Sequence, residues 1–141
     1  MKTTNVNPEP LKEKTLLFAI RVVNLNRYLT GTRQEYVVSK QVMRSGTNPG
    51  AMVREAGNAE SGLDFIHKLA VAQKEVGETQ YWLELLWKTN YLTINEYLSL
   101  FQDSQEIMKM LRSSILTKKK NLAAKVAKIS IIITLLLWAF I

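Results

Sequence analysis

The residues VVSKQVMRSGTNPGAMVREAGNAESGLDFIHKLAVAQKEVGETQYWLELLW, from Val37 to Trp87, decide the fold of this chain. They contain a segment punctuated by Gly, Pro and Asn, followed by a long run whose apolar residues recur at helical spacing. Two such tracks share Leu69, Val76 and Leu83, and together they form an apolar face wide enough to contact two neighbouring helices. The pattern predicts a central bundle helix over residues 60–89.

The part of the chain that precedes this stretch predicts a short arm and a first helix. Residues 1–10 end in two prolines and are expected to form a flexible N-terminal arm. A first helix is expected over residues 11–29, with Gly31 as its C-terminal residue and Thr32 as the next N-cap. A connection this short makes the second helix, from about Arg33, an antiparallel neighbour.

Pro49 lies inside the second helical pattern and predicts a kink or a break there, because proline removes one backbone hydrogen bond. One solution is a restarted segment with Asn48 as its N-cap. The other is a continuous but bent helix. We favour the bent helix, because residues 51–56 resume the helical pattern without a gap.

Thr93 and Glu96 have the spacing of a capping box and predict the start of a fourth helix. Strand signals are missing, since the chain has neither sustained alternation nor a hairpin dipeptide. The predicted fold is therefore all-α: an antiparallel up-down-up-down four-helix bundle over residues 11–121.

The net charge of +7 is concentrated near the C-terminus. Seven basic and no acidic residues follow Met108, whereas the chain up to Met108 has twelve of each and is neutral. This distribution predicts a local basic patch rather than a basic surface over the whole protein. We assign a nucleic-acid contact to Lys109, Arg112, Lys118, Lys119 and Lys120.

Residues 122–141 form an apolar C-terminal tail, and its last thirteen residues, ISIIITLLLWAFI, are apolar on every side of a helix. Counted from Leu122, the tail is about long enough to cross a bilayer if Lys125 and Lys128 extend to the interface. Three interpretations stay open: a helix buried against sister subunits, a membrane-associated tail, or a disordered end. The absence of cysteine and of an N-terminal signal favours a cytoplasmic protein, with membrane association through the tail as the alternative.

No set of residues predicts catalysis, a metal or a cofactor. A bundle di-iron site needs two histidines, and His67 is the only one. His67 also lacks the G-x-S-x-G context of a hydrolase, and no phosphate-binding loop occurs. Glu75 and Glu78 could act as paired carboxylates, but a salt-bridged helix face explains them more simply. We therefore expect no enzyme activity and no cofactor.

Aromatic residues cluster near the end of the third helix, and they could stack bases or pack at an interface between subunits. We assign the interface between subunits to Tyr81, Trp82 and Trp87.

Several motifs in their order along the chain resemble a known bacterial family. They are RSGTNPGA at 44–51, REA at 54–56, DFI at 64–66 and ETQYWLELL at 78–86. In these residues the chain resembles bacterial four helix bundle proteins, which include proteins encoded in intervening sequences of the large ribosomal RNA gene. It is also similar to the accessory variability protein of diversity-generating retroelements.

The resemblance covers residues 11–121 and implies a ring-like homopentamer without enzymatic activity. Its retroelement branch implies RNA or DNA and a reverse transcriptase as partners. The leading hypothesis is thus a self-associating scaffold or accessory bundle. A nucleic-acid-binding accessory and a membrane-tethered bundle are the alternatives.

Overall fold

The computed structural model describes residues 9–140 of the chain. These residues form four α-helices and no strand. Residues 1–8 of the predicted N-terminal arm lie outside the described residues, and the first helix already includes the last two positions of that arm. The helices are α1 (Glu9–Gly31), α2 (Val38–Gly57), α3 (Gly62–Lys88) and α4 (Ile94–Ala139).

The helices pack as the predicted up-down-up-down bundle. Each helix contacts the next one along the chain, and α4 closes the bundle by contacting α1. Short connections over residues 32–37, 58–61 and 89–93 turn the chain back at each end. Within the described residues α1 and α3 make no contact, so they lie diagonally across the bundle.

α3 is the central helix that the apolar spacing predicts. Its buried residues follow one of the two predicted tracks, and it packs against both α2 and α4. Ser61 begins the helix as its N-cap, because its side chain accepts a hydrogen bond from the backbone N–H of Asp64. The buried residues of α3 are Leu69, Ala72, Val76, Thr79, Leu83 and Leu86.

The RSGT motif of α2 packs the helix closely against its two neighbours. A Cβ added to Gly46 would lie 2.7 Å from Cγ2 of Val22 in α1, so only glycine fits there. On the other side the buried hydroxyls of Ser45 and Thr79 in α3 lie 2.9 Å apart. α2 is continuous through Pro49, so the helix does not restart at Asn48.

The predicted start of the second helix at Arg33 is wrong. Gln34 has a φ of 53°, which interrupts the helix, and α2 begins only at Val38. The guanidinium of Arg33 instead donates to the carbonyl oxygens of Asn90 and Tyr91, each at 3.1 Å. Thr32 is not the N-cap either, because another side chain fills that role.

That side chain is Glu35, which is buried below the first turn of α2. Its carboxylate accepts hydrogen bonds from the backbone N–H groups of Val37, Val38 and Ser39, at 2.6 to 2.9 Å. Burial alone would raise the pKa of Glu35, but these donors outweigh it and the pKa lies below its ordinary value. Glu35 thus does the capping assigned to Thr32.

α4 begins with the predicted capping box. Thr93 Oγ1 accepts from the N–H of Glu96, and the Glu96 carboxylate accepts from the N–H of Thr93. The helix then runs for 46 residues and does not end near residue 121. Leu122 still packs on the start of α3, since a Cβ added to Gly62 would lie 2.7 Å from a Leu122 methyl carbon. Beyond Leu122, α4 projects from the bundle as one uninterrupted helix.

Candidate functional site

The basic residues near the C-terminus lie along the second half of α4. Lys109, Arg112, Lys119 and Lys120 are exposed. Their spacing along the chain places them on one side of the helix, and two of them, Lys109 and Arg112, border α3. We call these four residues the basic face. Because no acidic residue follows Glu106, the positive charge of this surface has no opposing charge on its own segment.

Lys118, which we assigned to the same patch, points elsewhere. Its ammonium lies 5.3 Å from the ring centroid of Phe65 in α3, and its stem packs near Gly62. A cation over an aromatic face is stabilised by the ring electrons. Lys118 therefore takes part in packing α4 on α3 and is only half-exposed.

A shallow groove of about 180 Å³ adjoins the basic face between α3 and α4. It combines two cations with amide and aromatic side chains. In proteins that bind single-stranded nucleic acids, cations contact the phosphates and aromatic rings stack on the bases. Its amide and aromatic members did not stand out in the sequence, because helix pairing brings them together. The lining residues are Gln80, Phe101, Gln105, Met108, Lys109 and Arg112.

The three aromatic residues assigned to a subunit interface occupy different surroundings. Tyr81 is 57% exposed and meets the edge of Trp82, with ring centroids 4.8 Å apart. Trp82 is half-buried and donates its indole N–H to Glu78 at 3.0 Å. Trp87 stacks on Tyr97 of α4, also at 4.8 Å, so it packs within its own bundle. Tyr81 is therefore the most available of the three.

Glu75 and Glu78 form a salt bridge to α2, as the simpler interpretation predicts. Arg44 reaches Glu75 at 3.1 Å and also contacts Glu78. The hydrogen bond from Arg44, followed by that from Trp82, holds the pKa of Glu78 below its ordinary value. One guanidinium bound by two carboxylates fixes α2 against α3, so both carboxylates have a structural partner.

The described residues offer no other chemical centre. His67 is exposed on α3, and residues 9–140 contain no group of three His, Asp or Glu side chains able to hold a metal ion. A groove of about 480 Å³ lies between α1 and α4, but its charged groups already have partners. Arg21 binds Asp103 at 2.6 Å, and Glu96 belongs to the capping box. This groove has no convergent free groups for catalysis.

Comparison with known proteins agrees with this picture. The family described as 23S rRNA-intervening sequence protein matches residues 11–113. The chain belongs to this family. A similar solved structure is a protein of unknown function from the S23 ribosomal protein family of Bacteroides thetaiotaomicron. The two chains are 51% identical, with a TM-score of 0.76, and the match covers 77% of this chain and 96% of the other. No curated protein matches this chain.

Membership of the 23S rRNA-intervening sequence protein family confirms the resemblance to proteins encoded in intervening sequences of the large ribosomal RNA gene. Neither the family description nor that of the solved relative names an enzymatic activity. The family match ends at residue 113, before Lys118 and before the whole apolar extension. Part of the basic face and all of the projecting helix therefore lie outside the family region.

Proposed function

We propose that this protein is a non-enzymatic scaffold or accessory protein that associates with copies of itself into a ring, a homopentamer. The observation that carries the proposal is a pair of unlike apolar patches on α1 and α3, the two helices that lie diagonally across the bundle. The patch on α1 consists of Leu16, Leu17 and Ile20, each about half-exposed. The patch on α3 consists of the exposed Tyr81 and the half-buried Trp82 that it contacts.

Two unlike patches on opposite sides favour a ring over a two-fold dimer. When one patch of a protomer binds the other patch of the next, the contact is head-to-tail, and repeated contacts close into a ring or extend into a filament. The resemblance to four helix bundle proteins implies the closed form with five subunits.

Gly77, one turn before Tyr81, also supports a contact on this side of α3. A Cβ added to Gly77 would meet nothing within 4 Å, so packing inside the chain does not require glycine there. Glycine in a helix nevertheless costs about 0.5–1 kcal/mol relative to alanine. A neighbouring chain that approaches the backbone closely at Gly77 would account for that cost.

Light scattering coupled to size-exclusion chromatography tests the ring. For the full chain in mild detergent we expect a protein mass near five times the 16.1 kDa of the chain. A variant that ends at Leu122 should likewise show five times its own, smaller mass. Tyr81→Asp should reduce the mass, because it places a charge in the interface. Tyr36→Asp is the matched control, since Tyr36 is similarly exposed, at 61%, but lies between α1 and α2. A strict monomer at micromolar concentration, or equal effects of the two substitutions, would overturn the proposal.

A second candidate function is nucleic-acid binding through the basic face, and the alignment of its four cations on one side of α4 favours it. The family description connects related proteins with the 23S ribosomal RNA gene, so fragments of 23S rRNA are the first probes to test. A ring would present five copies of the face, which raises the avidity for a long strand. The retroelement resemblance adds a reverse transcriptase as a proposed partner, which co-purification from co-expressing cells would test.

Binding to RNA and to DNA should weaken steeply with salt, because each phosphate contact releases a counterion. Replacing the four basic-face residues by Gln should reduce the slope of log affinity against log salt by up to about 0.7 per lost contact on single strands. Lys118→Gln should have the smallest effect of any basic residue here, since its ammonium faces Phe65. Unchanged affinity in the fourfold variant would exclude this function.

A further inference from the structure

The bundle leaves the projecting part of α4, residues 123–140, uncovered. Every one of these residues is exposed, and the segment is helical through Ala139. At 1.5 Å per residue it extends about 25 Å beyond the last contact with the bundle at Leu122. We call this segment the extension.

The extension is apolar on all sides rather than along one stripe. Consecutive residues 131–133 and 135–137 are all Ile or Leu, and residues three in a row point in three directions around a helix. The hydroxyl of Thr134 donates to the carbonyl of Ser130 at 2.9 Å, so it has a partner inside the helix. Ten large apolar side chains are exposed: Val126, Ile129, Ile131, Ile132, Ile133, Leu135, Leu136, Leu137, Trp138 and Phe140.

This distribution fits a lipid bilayer better than another protein helix. A partner helix covers one stripe and would leave the remaining sides of the extension in water. Helices that are apolar all round occur in the core of a large protein or in a membrane. α4 contains an eighteen-residue stretch that is long and apolar enough to cross a membrane, and none of that stretch is buried. A bilayer would cover every side of it at once.

The charges at the base of the extension match the same environment. Lys118, Lys119, Lys120, Lys125 and Lys128 precede the apolar run, and no acidic residue accompanies them. Clustered lysines next to an apolar helix are attracted by anionic headgroups, on the side of the membrane that faces the cytoplasm. Lys125 and Lys128 can extend their ammonium groups to that interface while their stems stay in the apolar layer. Trp138, near the far end, is of the type found at membrane interfaces.

We propose that the extension inserts end-on into a lipid bilayer, with Lys119, Lys120, Lys125 and Lys128 at anionic headgroups, so that α4 holds the bundle at the membrane. The helical part of the extension spans about 25 Å, which is most of the roughly 30 Å thickness of the hydrocarbon core. Because the family match ends at residue 113, the membrane contact is a property added to the family bundle. It does not depend on the ring or on nucleic-acid binding.

Flotation with vesicles of phosphatidylcholine and phosphatidylglycerol tests the insertion. The full chain should float with the vesicles and remain with them after washing with high salt and with alkaline carbonate, which remove proteins held by charge alone. A Leu135→Asp/Leu136→Asp variant should partition into the vesicles at least roughly a hundredfold less, because aspartate is strongly disfavoured within the apolar layer. Leu98→Asp is the matched control, since Leu98 is a half-exposed leucine of the same helix on the bundle, and it should still float.

Tryptophan quenching by lipids brominated in their acyl chains locates the extension directly. Quenching in the full chain should exceed that in Trp138→Phe, because Trp82 and Trp87 belong to the bundle. The proposal is overturned if the full chain stays in solution as a defined assembly without vesicles or detergent. It is equally overturned if alkaline carbonate releases the chain, or if Trp138→Phe is quenched as strongly as the parent. Each of these readouts leaves the ring to be judged separately by the Tyr81→Asp experiment.

Discussion

Within α4, residues 94–122 bury an apolar stripe against α1 and α3, whereas residues 123–140 are exposed on every side. In the first part, buried and mostly apolar residues recur every three or four positions, and most of the remaining positions are polar. In the second part the apolar residues are consecutive. The helix is the same in both parts, so the difference lies only in how many of its sides are apolar. Periodicity indicates a protein partner, and its loss indicates a solvent that surrounds the helix.

The two parts should respond differently to the same substitution, and the largest expected effect is at Leu111. Leu111 is fully buried, so Leu111→Ala should lower the free energy of unfolding of the bundle by about 2–5 kcal/mol through lost burial and a cavity. Leu135→Ala is the matched variant, because Leu135 is 64% exposed in the extension, and it should leave that free energy unchanged. Urea unfolding of both variants in the same detergent, followed by circular dichroism, would measure this. Equal losses would show that the extension is part of the cooperative bundle.

A smaller effect is expected at Glu35, which belongs to the bundle and has no counterpart in the extension. Glu35→Gln weakens three hydrogen bonds from backbone N–H groups to a charged acceptor, and it should cost about 1–2 kcal/mol at neutral pH. Glu13→Gln, at an exposed position of α1, is the control and should change stability by less than about 0.5 kcal/mol.

The cost of Glu35→Gln should depend on pH in a defined direction. Because the pKa of Glu35 is lowered in the folded protein, its carboxylate stabilises the fold fully above the unfolded-state pKa of about 4.3. That stabilisation is lost as the pH falls from there through the lowered pKa. The parent and the variant should therefore converge in stability at acidic pH. If the parent and Glu35→Gln differ in stability by a constant amount down to strongly acidic pH, the ionised Glu35 carboxylate is not what stabilises the start of α2.

The smallest expected effect on bundle stability is at Thr93, and it is compared with the same substitution at Thr134, near the other end of α4. Thr93→Ala removes the N-cap of the helix and should cost the bundle about 1 kcal/mol. Thr134→Ala removes only a hydroxyl that bonds within the exposed extension, and it should leave bundle stability unaltered. Thermal unfolding of the two variants beside the parent would detect a shift of a few degrees for Thr93→Ala alone. A comparable shift for Thr134→Ala would mean that the extension contacts the bundle.

The parts of the fold that were predicted correctly rest on local signals. The capping box of Thr93 and Glu96 is a contact between neighbours in sequence, and the buried track of α3 follows from helical spacing. The number and order of the helices follow from the same signals. By contrast, Arg33 lies outside α2 and donates to the turn between α3 and α4, nearly sixty residues away. Such a contact leaves no trace in local spacing.

The candidate site was predicted only in part for the same reason. The clustering of basic residues is a property of the sequence, but the direction of each side chain depends on packing. Lys118 faces Phe65 because α4 rests on the start of α3, and Trp87 stacks on Tyr97 across the bundle. Gly77 could not be recognised from the sequence as part of a contact between subunits. That interpretation requires knowing that the space around Gly77 is open within its own chain.

The continuity of α4 has a geometric consequence for orientation. The helix contains neither glycine nor proline from Ile94 to Ala139, so it has no such kink site about which the extension could change its angle to the bundle. Each residue turns a helix by about 100°. Deleting one residue between Leu122 and Val126 would therefore rotate the bundle by about 100° relative to the extension, with every contact inside the bundle preserved. The length of this short segment therefore sets the rotation of the basic face about the axis of α4, relative to the extension.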